Sequence, residues 1–148
     1  MFLKALPEFE PREKDLIWQY QATIPANVKT IAPTMSRLME LAAETECFAG
    51  KELEIETALR EALANAIVHG CKNDEQQTIQ LSIACDEDCE IEMVVRNPGA
   101  GFDPSLIPDP TTHENLYENH GRGLYLINHL MDEVRYERGG TELHMQKR

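Results

Sequence analysis

A chain of 148 residues has the length of one domain and can bury a core without disulfide or metal support. Its composition, 42% hydrophobic and 27% charged, is that of a soluble globular protein. The net charge of −12, from 14 basic and 26 acidic residues, argues against a nucleic-acid or anionic-membrane surface, because phosphate contacts need clustered Lys and Arg. A basic protein partner, or an anionic ligand held by backbone dipoles, suits it better.

Residues 1–13, with Pro7 and Pro11, read as an extended lead-in, and 14–148 as a single domain. The opening "MFLKALPEFEPREKD" has too short an apolar run and too many acids for a signal peptide. No stretch approaches the roughly 18 apolar residues of a membrane span, so the expected compartment is cytoplasmic. "LIWQYQATIP" alternates as a strand ended by Pro25. Trp18 on that strand is expected to pack, and its position is also compatible with a dimer contact.

"ANVKTIAPTMSRLMELAAETECFAG" carries Val28, Ile31, Met35, Leu38, Met39 and Ala42 at helical spacing. Pro33 predicts a late start or a kink, and Gly50 a stop. A second helix is expected from Glu52 to His69, with Gly70 as its punctuation. "QTIQLSIACD" and "EIEMVVRN" follow as strands around an acidic turn whose tip is expected to be solvated surface. Cys47, Cys71, Cys85 and Cys89 match no zinc spacing and are expected to be reduced structural thiols.

"PGAGFDPSLIPDPTTHENLYENHGRG" reads as a long loop, of the kind that is functional or disordered in a compact domain. "GLYLINHLMDEV" is predicted helical, with Asp132 and Glu133 at its solvated end. "VRYERGGTELHMQK" closes the chain as a hairpin on a two-glycine turn. His113 and His144 are expected to be exposed. Strands and helices in this order make an α/β (α+β) two-layer sandwich with a mixed, mostly antiparallel sheet, because the crossover helices of a doubly wound fold are missing.

The stretch "EALANAIVHG" interrupts an apolar run with Glu61, Asn65 and His69 at four-residue steps. At about 100° per residue each step advances about 40°, so the three polar side chains form one narrow stripe flanking the buried face. Ala58 and Ala62 beside it leave room for an approaching group. A carboxylate there costs free energy unless it has a partner. Taken alone, the stripe is equally a helix whose polar groups satisfy nearby backbone, with His69 at its end.

Two glycine clusters add weight. "NPGAGFD" directly follows a strand, and "HGRG" opens a helix. Glycines let a backbone approach a ligand closely, and a helix N-terminus behind them offers free N–H groups to phosphates. No Walker A pattern, Gly-x-Ser-x-Gly or His-Glu-x-x-His is present.

In this order the motifs resemble the GHKL ATPase superfamily, and within it the anti-sigma-factor serine/threonine kinases. The resemblance runs from about Asp15 to the C-terminus. "EALANAIVHG" matches the asparagine box, "NPGAGF" stands where the family has an Asp-x-Gly-x-Gly box, "GRGLYLINHLMDEV" matches the second glycine box, and "GGTELHMQK" the final hairpin. The resemblance implies a Bergerat-type ATP-binding fold, ATP and Mg²⁺ as cofactors, and a loop from about Asp103 to Asn119 as a lid. Carried over, Glu61 would be the general base and Asn65 the Mg²⁺ ligand. His69 would line the phosphate end, and Gly99 and Gly101 would pass close to adenine and ribose. Gly121 and Gly123 would hold the phosphates, with Arg122 within their reach, and Thr141 would join the adenine network.

Two departures stand out. The family's adenine-reading Asp is Asn97 here, whose carbonyl accepts without charge assistance and whose amide adds a donor; weaker or less selective adenine binding is expected. The Arg that many relatives carry before the second glycine box is absent from "LYENH", which offers His120 instead. The partners implied are an anti-anti-sigma factor and a sigma factor, with a homodimer implied by resemblance alone. A nucleotide-weak or non-catalytic binding module of the same fold is the alternative.

Overall fold

The computed structural model describes residues 15–97 and 119–148, with side chains from Gly123 onward in the second stretch. The elements are β1 (Leu16–Pro25), α1 (Ile31–Ala42), α2 (Glu52–Asn65), β2 (Thr78–Asp86), β3 (Ile91–Arg96), α3 (Asn119–Leu130), β4 (Glu133–Glu137) and β5 (Glu142–Lys147). The strands form one five-stranded sheet in the order β1-β2-β3-β5-β4. Every pairing in it is antiparallel.

Strand alternation decides which residues meet the helices. Ile79, Leu81, Ile83 and Cys85 of β2 lie in one core with Ile91, Met93 and Val95 of β3 and Leu143 and Met145 of β5. The helical layer closes over them with Met35 and Leu38 of α1, Ile55, Leu59 and Leu63 of α2, and Leu124 and Ile127 of α3. This is the expected two-layer sandwich, with a sheet that is antiparallel throughout the described strands where a mixed one was expected. Trp18 packs as expected, edge-on to Phe48 with ring centroids 5.3 Å apart. Among the described residues no helix is long and apolar enough to cross a membrane.

Several boundaries differ from the sequence reading. The first helical segment is split: a 3₁₀ turn, Val28–Thr30, leads into α1, and Pro33 sits in the first turn of α1, where its missing N–H is tolerated. The helix already ends at Ala42, and a second 3₁₀ turn, Glu46–Phe48, capped by the Thr45 side chain, separates it from Gly50. Gly50 therefore does not stop α1. α3 ends at Leu130, so Asp132 and Glu133 are not a helix end. Glu133 is the first residue of β4, and the Asp132 N–H donates to the Gln146 carbonyl at 2.8 Å. The closing turn is four residues, Arg138 to Thr141, with Arg138, Gly139 and Gly140 all at positive φ.

His144 is a further correction. It is 3% exposed. β5 runs between β3 and β4, with Val94 and Arg135 as cross-strand neighbours of His144. Its Nε2 lies 3.0 Å from Glu142 Oε1. Arg96 and Arg138 flank the same carboxylate at 3.6 and 3.2 Å. An alternating strand read alone puts such a histidine in water; its central place in the sheet removes it.

Leu63 on α2 is fully buried. Leu63→Ala is predicted to lower stability by about 2–5 kcal/mol in urea unfolding. A loss under about 1 kcal/mol would mean that the helical layer does not close on the sheet as described.

Candidate functional site

The polar stripe lies where α2 changes character. α2 is α-helical to Asn65, and Ala66–Gly70 continues as one π turn, in which the Cys71 N–H donates to the Ala66 carbonyl at 2.8 Å. A π turn widens the helix and recurs at functional sites. It also shifts the angular register after Asn65, and His69 is exposed. Glu61 and Asn65 are half-buried. The sequence reading of one continuous helix to His69 missed this turn, since its apolar pattern is the same either way.

α3 meets the stripe through a residue with no side chain. A Cβ placed on Gly123 would fall 2.9 Å from Glu61 Oε2 and 3.3 Å from Asn65 Nδ2. Glu61, Asn65 and Gly123 are thus brought together from two helices. Gly121 and Arg122 lie in the first turn of α3, whose leading N–H groups have no intrahelical acceptor. Gly99, Gly101 and the loop read as a lid, up to Glu118, fall outside the described residues.

Asn97 immediately follows β3 and is 4% exposed. Its backbone N–H donates to the Thr141 carbonyl at 3.0 Å, tying the end of β3 to the turn before β5. A Cβ on Gly70 would fall 2.7 Å from Asn97 Cγ and Nδ2. Gly70 therefore serves close packing, as well as ending the helical run. A cavity of about 20 Å³, room for about one water, opens among Asn65, Asn97, Tyr136 and Thr141, walled by Val95 and Leu143. Burial pushes the Tyr136 phenol well above its usual value, so it stays neutral. The Thr141 hydroxyl donates to the Arg138 carbonyl at 2.7 Å, leaving its oxygen to accept.

Among the described residues, the side-chain Nδ2 groups of Asn65 and Asn97 are both buried with no hydrogen-bond partner. Such groups cost roughly 1–3 kcal/mol each, and here two border one cavity. A polar group reaching into the cavity would satisfy them. Tyr136, Val95 and Leu143 were not picked out as site residues in the sequence. The only available signal was their position two residues apart from other helix-facing strand residues, which marks core as readily as pocket wall.

Glu61 and Asn65 of α2, Gly123 of α3 and a small polar-ended cavity over the antiparallel sheet make up the candidate site. Residues 24–147 match the family model of the histidine kinase-like ATPase domain, and the chain belongs to that family. The anti-sigma F factors of Priestia megaterium and Bacillus thuringiensis are each 29% identical to it over 133 residues, covering 86% of this chain and 80% of theirs. The crystal structure of the RsbU and RsbW domains of a Mycobacterium tuberculosis protein shares the fold, with a TM-score of 0.58 at 19% identity. That match covers 88% of this chain and 31% of the other.

Gly70→Ala is predicted to destabilise the protein by about 1–3 kcal/mol through the forced contact with Asn97. In a double-mutant cycle with Asn97→Ala most of that penalty should vanish. An equal cost in both backgrounds would show that Gly70 is needed for some other reason.

Proposed function

We propose that this protein is an ATP-binding anti-sigma factor and protein serine/threonine kinase, which sequesters a sigma factor and phosphorylates an anti-anti-sigma partner. The observation that carries the reading is the meeting of Glu61, Asn65 and Gly123, with the two orphaned amides beside it. The family membership and the likeness to anti-sigma F factors support the same reading.

The residues fit the groups the family implies. Asn65 offers a neutral amide oxygen, a ligand suited to Mg²⁺, which keeps most of its waters and takes few protein donors. When bound, the ion would neutralise charge on the phosphates. Gly121, Gly123 and the free N–H groups that open α3 would hold those phosphates. Glu61 faces the same point and would accept the proton of the attacking hydroxyl. His69, exposed on the π turn, and Arg122 would stand at the phosphate end, Gly99 and Gly101 against the base and ribose.

Asn97 gains a sharper role than its departure from aspartate suggested. Its amide carries an acceptor and a donor side by side, and the donor is buried without a partner among the described residues. The adenine edge presents the complement, an amino group beside a ring nitrogen. Asn97 would therefore read adenine with two hydrogen bonds, with Thr141 accepting or relaying beside it. Two neutral bonds replace one charge-assisted bond.

Asn65→Ala is expected to abolish Mg·ATP binding in titration calorimetry. Glu61→Gln should leave binding within about twofold while slowing phosphate transfer to the partner roughly 10²–10⁴-fold. Equal loss of binding in both variants would remove Glu61 from the chemistry. If the intact protein bound its partner regardless of ATP, ADP and Mg²⁺ and transferred no phosphate, the non-catalytic binding module would be the correct reading. Replacing Asn97 by Ala should cost about 1–3 kcal/mol of ATP affinity and flatten the preference for ATP over GTP.

A further inference from the structure

Three of the four cysteines gather at the end of the domain away from the nucleotide site. Cys47 Sγ lies 2.8 Å from Cys89 Sγ and 3.9 Å from the Asp86 carbonyl. Cys85, also hydrogen-bonded to Cys47, stands behind them on β2. Cys71 is buried elsewhere, beside Asp74. The two close sulfurs come from segments 42 residues apart, the 3₁₀ turn before α2 and the β2–β3 turn.

Both backbones are pinned. The Cys47 N–H donates to Thr45 Oγ1 at 3.3 Å. The Cys89 N–H donates to the Asp86 carbonyl at 2.9 Å, and its own carbonyl accepts from Lys51 Nζ at 3.0 Å. Asp86 Oδ1 further accepts from the N–H groups of Asp88 and Glu90. Cys89 takes a left-handed backbone, φ +61°, a conformation a β-turn residue without special reason avoids. That conformation is held while its sulfur faces Cys47. A disulfide bond is about 2.05 Å long, so closing the pair needs a sulfur movement of under about 1 Å. Cys47 is buried and Cys89 half-exposed, with Lys51 supplying positive charge.

We propose that Cys47 and Cys89 form an oxidant-sensitive dithiol site that closes to a disulfide under a hydroperoxide and reopens under a dithiol reductant. The half-exposed Cys89 meets the oxidant. Its thiolate sulfur attacks one peroxide oxygen, the O–O bond breaks, and the departing oxygen leaves as water or alcohol, giving a sulfenic acid. Cys47 then attacks that sulfur. The S–S bond forms, the S–O bond breaks, and the hydroxyl leaves as water with the proton Cys47 gives up. Two thiols and one peroxide become one disulfide and either two waters, from hydrogen peroxide, or one alcohol and one water, from an alkyl hydroperoxide. Burial raises the Cys47 thiol, but hydrogen bonds from Cys85, Cys89 and Thr45, with Lys51 nearby, outweigh it and hold Cys47 below the usual thiol value, as suits the resolving group. Cys89 is held above that value, first by its hydrogen bond to Cys47 and then by burial.

The bond would staple the entry to α2 to the β2–β3 turn. α2 starts at Glu52, so about 14 Å of helix separates the staple from Glu61 and about 20 Å separates it from Asn65. The inference stands apart from the kinase reading, and its failure leaves that reading untouched.

The test uses the reduced full chain, treated with stoichiometric hydrogen peroxide, quenched with an alkylating agent and mapped by mass spectrometry with and without dithiothreitol. The expected product carries no intermolecular disulfide, has lost two hydrogens per chain, contains a Cys47–Cys89 cross-linked peptide, and melts about 5–10 °C higher. Cys89→Ser, at a half-exposed position, should fold, lose the cross-link and bind Mg·ATP as before. A bond through Cys71 or Cys85, an intermolecular bond, oxidation that stops at a higher acid on Cys89, or a cross-link persisting in Cys89→Ser would each overturn the proposal.

Discussion

The contact between α3 and the polar side of α2 is the constraint on which the rest of the site depends. It exists because Gly123 brings backbone, and no side chain, against Glu61 and Asn65. Any Cβ there would sit 2.9 Å from the carboxylate, too close for a buried pair of helices to ignore. The approach sets the backbone of one helix, one turn in from its N-terminus, beside a carboxylate and an amide of the other. Neither helix alone has these groups in one place. Packing that would ordinarily be filled by apolar side chains is given over here to polar atoms, and the core on the far side of α2 carries the stability instead.

The same division runs through the sheet. The strand side chains facing the helices are almost all aliphatic, and the opposite face holds Glu142, His144 and their arginine neighbours. The pocket sits where β3 ends, at Asn97, and where the β4–β5 turn folds back to meet it through the Thr141 carbonyl. The two ends of the candidate site are thereby fixed to different elements. β3 and its neighbouring turn hold one end, and the two helices hold the other.

What was legible in the sequence followed from periodicity and from glycine. Strand alternation gave β1, β2 and β3 within a residue, and the i+4 spacing of Glu61 and Asn65 placed them together on one flank. What was not legible depended on neighbours distant in the chain. The π turn leaves no mark in an apolar pattern. The burial of His144 follows from β5 lying between β3 and β4, which no local reading supplies. Gly70 looked like a helix terminator and is also a packing partner of Asn97. The β4 start at Glu133 was hidden because "MDEV" suits a helix end as well as a strand entry.

β1 carries one more consequence. Its antiparallel partner is β2, and register pairs Leu16 with Asp86 across both intervening helices. During synthesis the strand emerges first and its partner roughly fifty residues later, which at ribosomal speed is a delay of about 3–10 s. Through that interval a ten-residue strand has no sheet to join. Its outward residues are mostly uncharged polar ones, Gln19, Gln21 and Thr23, with Ile17 the apolar exception, and Pro25 closes its end without a donor. These features keep a waiting edge from pairing with another nascent chain, so the earliest-made strand of the domain is also the one that must be quietest until the sheet exists to receive it.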